Sequence, residues 1–383
     1  MHEDVKNIRH HIHSNPELSF HEEKTAAFIS SKLSEFGIEH QTNIGGFGIV
    51  GSIKGMLSGN KVVALRADMD ALPITEKNEV EYKSKVNGIM HACGHDVHSA
   101  SLLGTAKILN QLKANFGGTV KLIFQPAEEK LPGGASIMIK DGVLENPKPD
   151  LIIGQHVFPN MQAGKAGFRS GQYMASADEI YVTVKGKGGH AAIPKEYVNP
   201  LMAAAHFLVA IESLSQSFKN SRSPVVLAFG KITGLGATNV IPDEVKIDGT
   251  LRCMDELQRF KIWEEMTSIG KSVSENCEGI TIDVKIDKGY PSLFNNEEVT
   301  SLAEKAAKEY LGDMNVEHLD LRMAAEDFSF YSQLLPATFY RIGTGNAEKG
   351  ITSSVHTPFF NIDEDALSIS TGLMSYITIK ALE

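Results

Sequence analysis

Apolar and polar positions follow two rhythms along this chain. Up to about residue 173, largely apolar runs at 61–65, 119–124 and 151–153 read as buried strands. Short strands are predicted at 38–40 and 47–53. Ser19-Phe20-His21-Glu22 reads as a capping box that opens a helix running to about residue 36, with Gly37 suited to its C-terminal cap. Between about 174 and 288 the texture changes. Residues 179–184 alternate as a half-exposed strand, 199–214 and 255–274 read as helices, and 225–233, 240–251 and 280–286 as further strands. From about residue 289 the first rhythm returns: a helix at 297–310, a strand at 338–342 and a last helix at 363–382. The pattern predicts an α/β fold with a mixed sheet flanked by helices. Residues 1–173 and 289–383 form one discontinuous domain, interrupted by a smaller α+β module at 174–288.

A length of 383 residues and a 42% hydrophobic content allow two cores. The net charge of −10, without a basic cluster, argues against nucleic acid or an anionic membrane as partner. Three cysteines are too few for a disulfide framework, and neither a signal pattern nor a long apolar run is visible. The expected location is cytoplasmic.

Candidate chemistry is densest at His91-Ala92-Cys93-Gly94-His95-Asp96-Val97-His98, a loop feeding the apolar-periodic run 100–112. Thiolate, imidazole and carboxylate are the groups that hold zinc, manganese, nickel or cobalt. Three strand ends add to it. The run 61–65 empties into Asp68 and Asp70, which point the same way if the backbone stays extended, and which equally suit turn chemistry before Pro73. The run 119–124 ends at Glu128-Glu129, where one carboxylate can bind metal while its neighbour moves a proton, or both can lie solvated before the next helix. The run 151–153 ends in Gly154-Gln155-His156.

The order of these motifs resembles the M20 metallopeptidase family, in its amidohydrolase branch. The resemblance is carried by residues 66–73 and 90–96, Pro126-Ala127-Glu128-Glu129, Gly154-Gln155-His156, residues 188–194 and 238–243, and Val355-His356-Thr357-Pro358. It implies a catalytic α/β domain and a lid domain used for homodimerisation. It implies Cys93, His95, Glu129, His156 and His356 as ligands of one or two divalent ions (Mn, Zn, Co or Ni). Glu128 would be the general base towards metal-activated water, Asp70 the residue that orients a ligand histidine, and His190 an oxyanion donor. Asn239 and Arg252, at the ends of predicted lid strands, suit a clamp for a substrate carboxylate. The implied reaction is amide hydrolysis of an N-acyl amino acid, N-acetyl or aromatic. A dipeptidase or carboxypeptidase-type peptidase acting on short peptides, or a metal-binding protein without catalysis, are the alternatives.

Other residues read more plainly. Cys253 and Cys277 suit a core, Met69, Met90 and Met174 suit either core or pocket, and His10, His11, His13 and His21 read as surface or packed side chains without a carboxylate-rich partner motif.

Overall fold

The computed structural model describes residues 2–218 and 223–383, which group into two compact units. The first comprises residues up to Tyr173 with 294–320 and 327–383, and the second comprises 174–293 with 321–326.

The first unit is built on an eight-stranded mixed sheet. Its strands lie in the spatial order Glu39–Ile44, Gly48–Lys54, Gly117–Gln125, Leu57–Asp68, Leu151–Gln162, Ala337–Gly345, Ala166–Phe168 and Val316–His318. The four at its centre run parallel: Gly117–Gln125, Leu57–Asp68, Leu151–Gln162 and Ala337–Gly345. Their residues are buried almost without alternation, as expected for strands covered on both faces. Helices His2–Ser14, Glu23–Glu35, His95–Gln111, Glu297–Leu311 and Asp365–Leu382 share one apolar core with that sheet, around Val63, Leu65, Leu122, Ile153, Ile342 and Leu373. Met69 and Met90 belong to this core.

The second unit is an antiparallel sheet of Val225–Thr233, Glu244–Cys253, Asp178–Lys185 and Thr281–Lys288, in that order, packed with helices Pro200–Ser217 and Glu256–Asn276. Asp178–Lys185 alternates strictly in burial, so one face carries the core of Ile180, Val182, Val184, Phe207, Ile247 and Met266. Asn199 and Asp255 cap the two helices by accepting from Leu201 N and Gln258 N.

Three local expectations are corrected. The strand expected over 240–251 is two pieces, Val240–Ile241 and Glu244–Cys253, because Pro242 has no N–H to continue a ladder. The first piece pairs with Gly189–His190 instead. The strand expected over 151–153 runs on to Gln162, so His156 lies within it and not at its end. Its neighbour Leu57–Asp68 stops pairing at Arg66 opposite Gly154, and this opens the edge beside His156. The capping box is absent as well: the helix begins at Glu23, and neither Ser19 nor Glu22 caps it with a side chain. Both side chains reach across the unit instead.

Candidate metal centre

Four segments of the first unit converge where the parallel strands Leu57–Asp68 and Gly117–Gln125 end and Leu151–Gln162 runs on, the side of an open α/β sheet that carries its site. The first is the loop before helix His95–Gln111. Gly94 turns it with φ of +85°, and a Cβ there would meet Val157 Cγ2 at 2.5 Å, so only glycine lets the loop lie against its neighbouring strand. Cys93 sits on one side of that turn and His95 on the other. The second segment is the turn after Gln125, the third is His156 on its strand, and the fourth is the loop holding His356. The His356 N–H donates to Ala92 O at 2.7 Å, which docks that loop beside Cys93.

Cys93 is the meeting point. Its Sγ lies 3.5 Å from His156 Nε2 and 3.3 Å from His356 Nε2. Donor atoms of Cys93, His95 and His156 all lie within 4.8 Å of one another, and so do those of Cys93, Glu129 and His356. Two trios sharing one sulfur give room for two ions. His356 is 51% exposed while Cys93, His95 and His156 are buried, so the cluster opens towards solvent on the His356 side.

The ring nitrogens are prepared for a cation. His156 Nδ1–H donates to Val157 O at 2.8 Å, which leaves Nε2 as the lone pair facing Cys93. Burial and the nearby Arg341 charge hold its pKa well below the usual histidine value, so it is neutral. His95 Nδ1 is held by Asp70 Oδ1 at 3.1 Å, and its buried Nε2 has no hydrogen-bond partner among the described residues. Glu129 Oε1 lies 3.1 Å from His356 Nε2, yet the two do not meet in hydrogen-bond geometry. Buried donor atoms that face shared space and not each other fit a divalent ion, which would take the place of the proton that His95 holds without one. Burial, with the Glu129 charge, pushes the Cys93 thiol up to about 12, so a thiolate there needs a bound cation. For His95, burial favours the neutral ring, but the Asp68 charge, the Cys93 sulfur and the Asp70 hydrogen bond outweigh it and hold the pKa well above the usual range.

Glu128, buried next to Glu129, stands outside both of these trios but forms a further one with His95 and Glu129, their donor atoms again within 4.8 Å of one another. Its Oε2 is 4.0 Å from His95 Nε2, and its Oε1 accepts from Asp327 N at 3.4 Å.

Asp68, His95 and His98 also have donor atoms close together, but that trio is already occupied by hydrogen bonds. His98 Nδ1–H donates to Asp68 Oδ1 at 2.6 Å and His98 Nε2 accepts from Val157 N at 2.9 Å. Asp68 Oδ2 takes Arg66 Nη1 at 2.5 Å. Arg66 bridges onward to Asp327 Oδ1 at 2.6 Å and to Gln125 Oε1 at 2.9 Å. Asp68 therefore anchors a buried network beneath the cluster. Replacing Arg66 by Met would strand two buried carboxylates, and we expect a stability loss of about 3–5 kcal/mol in urea unfolding. A loss near zero would show the network to be dispensable.

His190, Asn239 and Arg252 belong to the second unit. His190 and Asn239 are exposed neighbours there, with Ala191 N donating to Asn239 O at 3.1 Å and Ala192 N to His190 Nδ1 at 3.1 Å. Arg252 is half-buried, donates to Thr250 Oγ1 and Leu251 O, and pairs with no carboxylate among the described residues.

Sequence reasoning missed several supports. Ser19 donates to Asp70 Oδ2 at 2.6 Å, and Glu22 Oε1 accepts from Ala127 N at 2.8 Å. His98 was noted within the metal loop but given no role, although its spacing of three from His95 puts both on one helix face. The N-terminal histidines do have carboxylate partners, supplied from distant positions: buried His13 meets Asp96 at 2.8 Å and Glu76 at 3.2 Å, and His10 meets Glu364. His11 stacks on Phe28, and His21 is exposed.

Burial and the Asp70 charge push the Glu22 carboxyl up to about 7. A folded-state pKa above the unfolded 4.5 gives stability that is present below about 4.5 and lost as pH rises through about 7. Glu22→Gln, which escapes that loss, is expected to gain in melting temperature relative to the parent between pH 5 and 8 in chelated protein. A pH-independent difference would contradict the assignment.

This arrangement of a mixed α/β fold and a shared-sulfur donor cluster beside a separate carboxylate defines a metal-dependent hydrolase. Residues 64–378 match peptidase family M20/M25/M40, and the chain belongs to that family. It is 37% identical to an N-acetyl-L-cysteine deacetylase of Bacillus subtilis, over 98% of this chain and 87% of that protein. It is 38% identical to thermostable carboxypeptidase 2 of Saccharolobus solfataricus, over 97% and 94%. Its fold matches the crystal structure of a dinuclear metal binding peptidase of the M20 family from Bacillus subtilis with a TM-score of 0.84, at 32% identity over 100% and 98% of the two chains.

Proposed function

We propose that this protein removes the acyl group from N-acyl amino acids, with N-acetyl or aromatic acyl substrates, using Glu128 to carry the proton. The observation that carries the reading is the pair of trios sharing Cys93, with Glu128 buried beside them and outside both. Cys93, His95, Glu129, His156 and His356 would hold one or two divalent ions. Such ions polarise a carbonyl and make water acidic enough to act near neutral pH. Glu128 then accepts the proton from attacking water and returns it to the leaving amine. Asp70 keeps His95 in the tautomer that presents Nε2. His190 would donate to the developing oxyanion, and Asn239 and Arg252 would hold the carboxylate of the amino acid. The similarity to a deacetylase supports this reading.

The similarity to a carboxypeptidase favours a second one, with the same proton carrier acting on short peptides. A panel of N-acetyl and N-benzoyl amino acids against dipeptides, assayed with Mn, Zn, Co and Ni after chelation, separates the two. Faster cleavage of dipeptides than of every N-acyl amino acid would overturn the first reading.

The second unit supports a homodimer. Helix Pro200–Ser217 exposes Leu201, Met202 and Val209, and the sheet-edge strand Val225–Thr233 exposes Val226 and Ile232. Sedimentation should give twice the chain mass, and a charged residue at Val226 or Val209 should lower it. No helix among the described residues is long and apolar enough to cross a membrane, which is compatible with the cytoplasmic location we propose.

A further inference from the structure

We propose that Glu22 is a positioning residue for Glu128: with Asp70 it clamps the two backbone amides that flank Glu128 and so sets the direction in which that carboxylate points. The inference rests on the reading of Glu128 as the proton carrier. Glu22 is fully buried and directly precedes helix Glu23–Glu35, where a side-chain acceptor ordinarily caps its own helix. It does not. Its Oε1 accepts from Ala127 N at 2.8 Å, one residue before Glu128. Asp70 Oδ2 accepts from Glu129 N at 3.0 Å, one residue after it. Ala127 O is held in turn by Gly134 N at 2.9 Å.

The backbone at this turn needs holding. Ala127 has φ of +53°, a left-handed conformation that an L-residue keeps only when its surroundings impose it. Phe20, two residues before Glu22, has φ of +69°. The other Glu22 oxygen, Oε2, is buried with no hydrogen-bond partner among the described residues, so the Ala127 N–H is the contact that holds this carboxyl. One buried side chain thus reaches from its own segment to the strained turn that carries Glu128. The segment that supplies Glu22 also supplies Ser19, whose hydroxyl donates to the same Asp70 oxygen at 2.6 Å. Both clamps on the 127–129 turn therefore run through residues 19–22. Protonated or charged, Glu22 keeps an oxygen for Ala127, so the clamp does not depend on its ionisation.

The test uses the metal-loaded enzyme and an N-acyl amino acid substrate. Glu22→Met keeps the buried volume and removes the acceptor, and Glu22→Ala removes both. In whichever folds, kcat should fall about 10- to 100-fold with KM and metal content within about twofold, because only proton transfer is misaligned. Glu22→Gln keeps an acceptor and should recover kcat to within about threefold of the parent. In a double-mutant cycle, removing Glu22 in a Glu128→Gln background should cost little more, since both changes act through one carboxylate.

Unchanged kcat in the Met and Ala variants would overturn the proposal. So would additive losses in the cycle, a loss that follows metal content and is restored by excess metal, or a failure of both variants to fold. An unchanged rate in Glu128→Gln alone would instead sink the proton-carrier reading, whatever the Glu22 variants do.

Discussion

Glu128→Gln is expected to lower kcat at least about 100-fold while the protein keeps its metal and its KM. The amide matches the carboxylate in size and keeps an oxygen to accept from Asp327 N, so the buried turn has no reason to move. It cannot take a proton from water. Glu128 shares a trio with His95 and Glu129 but stands outside the two that share Cys93, so loss of its charge should leave the sulfur-centred donors in place. Steady-state rates with metal analysis on the same samples check this. A variant within threefold of the parent rate would remove Glu128 from the chemistry, and a variant that loses metal would make it a ligand.

Metal removal should have the second large effect, and its pH dependence is the more informative part. Chelation should abolish turnover, and a divalent ion should restore it. In the metal-free protein the Cys93 thiol is pushed up to about 12 by burial, and His95 is held well above the usual histidine range. Both therefore carry protons at neutral pH, and both must shed them when an ion binds. The apparent association constant should rise about 100-fold per pH unit from pH 6 to 8, by one decade for each of the two protons released. Competition with a chromophoric chelator at three pH values measures the slope. Cys93→Ser, whose hydroxyl keeps its proton, should weaken binding and flatten the slope by about one. A parent slope of zero would mean that neither group is a ligand.

Much of the site was legible because its residues carry unusual chemistry. Cys93, His95, the Glu128-Glu129 pair and His156 stood out as types, the family resemblance added His356 and chose Glu129 as ligand, and these five donors lie together around one sulfur. What escaped notice were residues whose types are ordinary. Ser19 and Glu22 matched a local capping rule, because spacing of three is what a capping box shows. The competing partners, Asp70 and Ala127, lie 51 and 105 positions away, and a buried charged or strained partner outweighs a solvated helix end. Asp327 was visible only as a carboxylate after a glutamate, yet it accepts from Arg66 Nη2, Gln125 Nε2 and Ala135 N. His156 was expected at a strand end because its apolar run is short. Pairing with Ala337–Gly345 carries the strand six residues beyond the run and its Gly154-Gln155-His156 close, to Gln162, where periodicity no longer signals it.

Residue order alone determined the alternation of buried strands and amphipathic helices, the change of texture in the middle, and the supply of soft and hard donors at loop positions. These are local properties, set by side-chain type and period. Only the tertiary structure decided which donors share a sulfur, that Asp68 anchors Arg66 and His98, and that Glu22 serves a turn far from its own helix. Those outcomes are settled by burial. Once packed, each polar group must find a partner within hydrogen-bond reach, and that partner is fixed by strand register and not by distance along the chain.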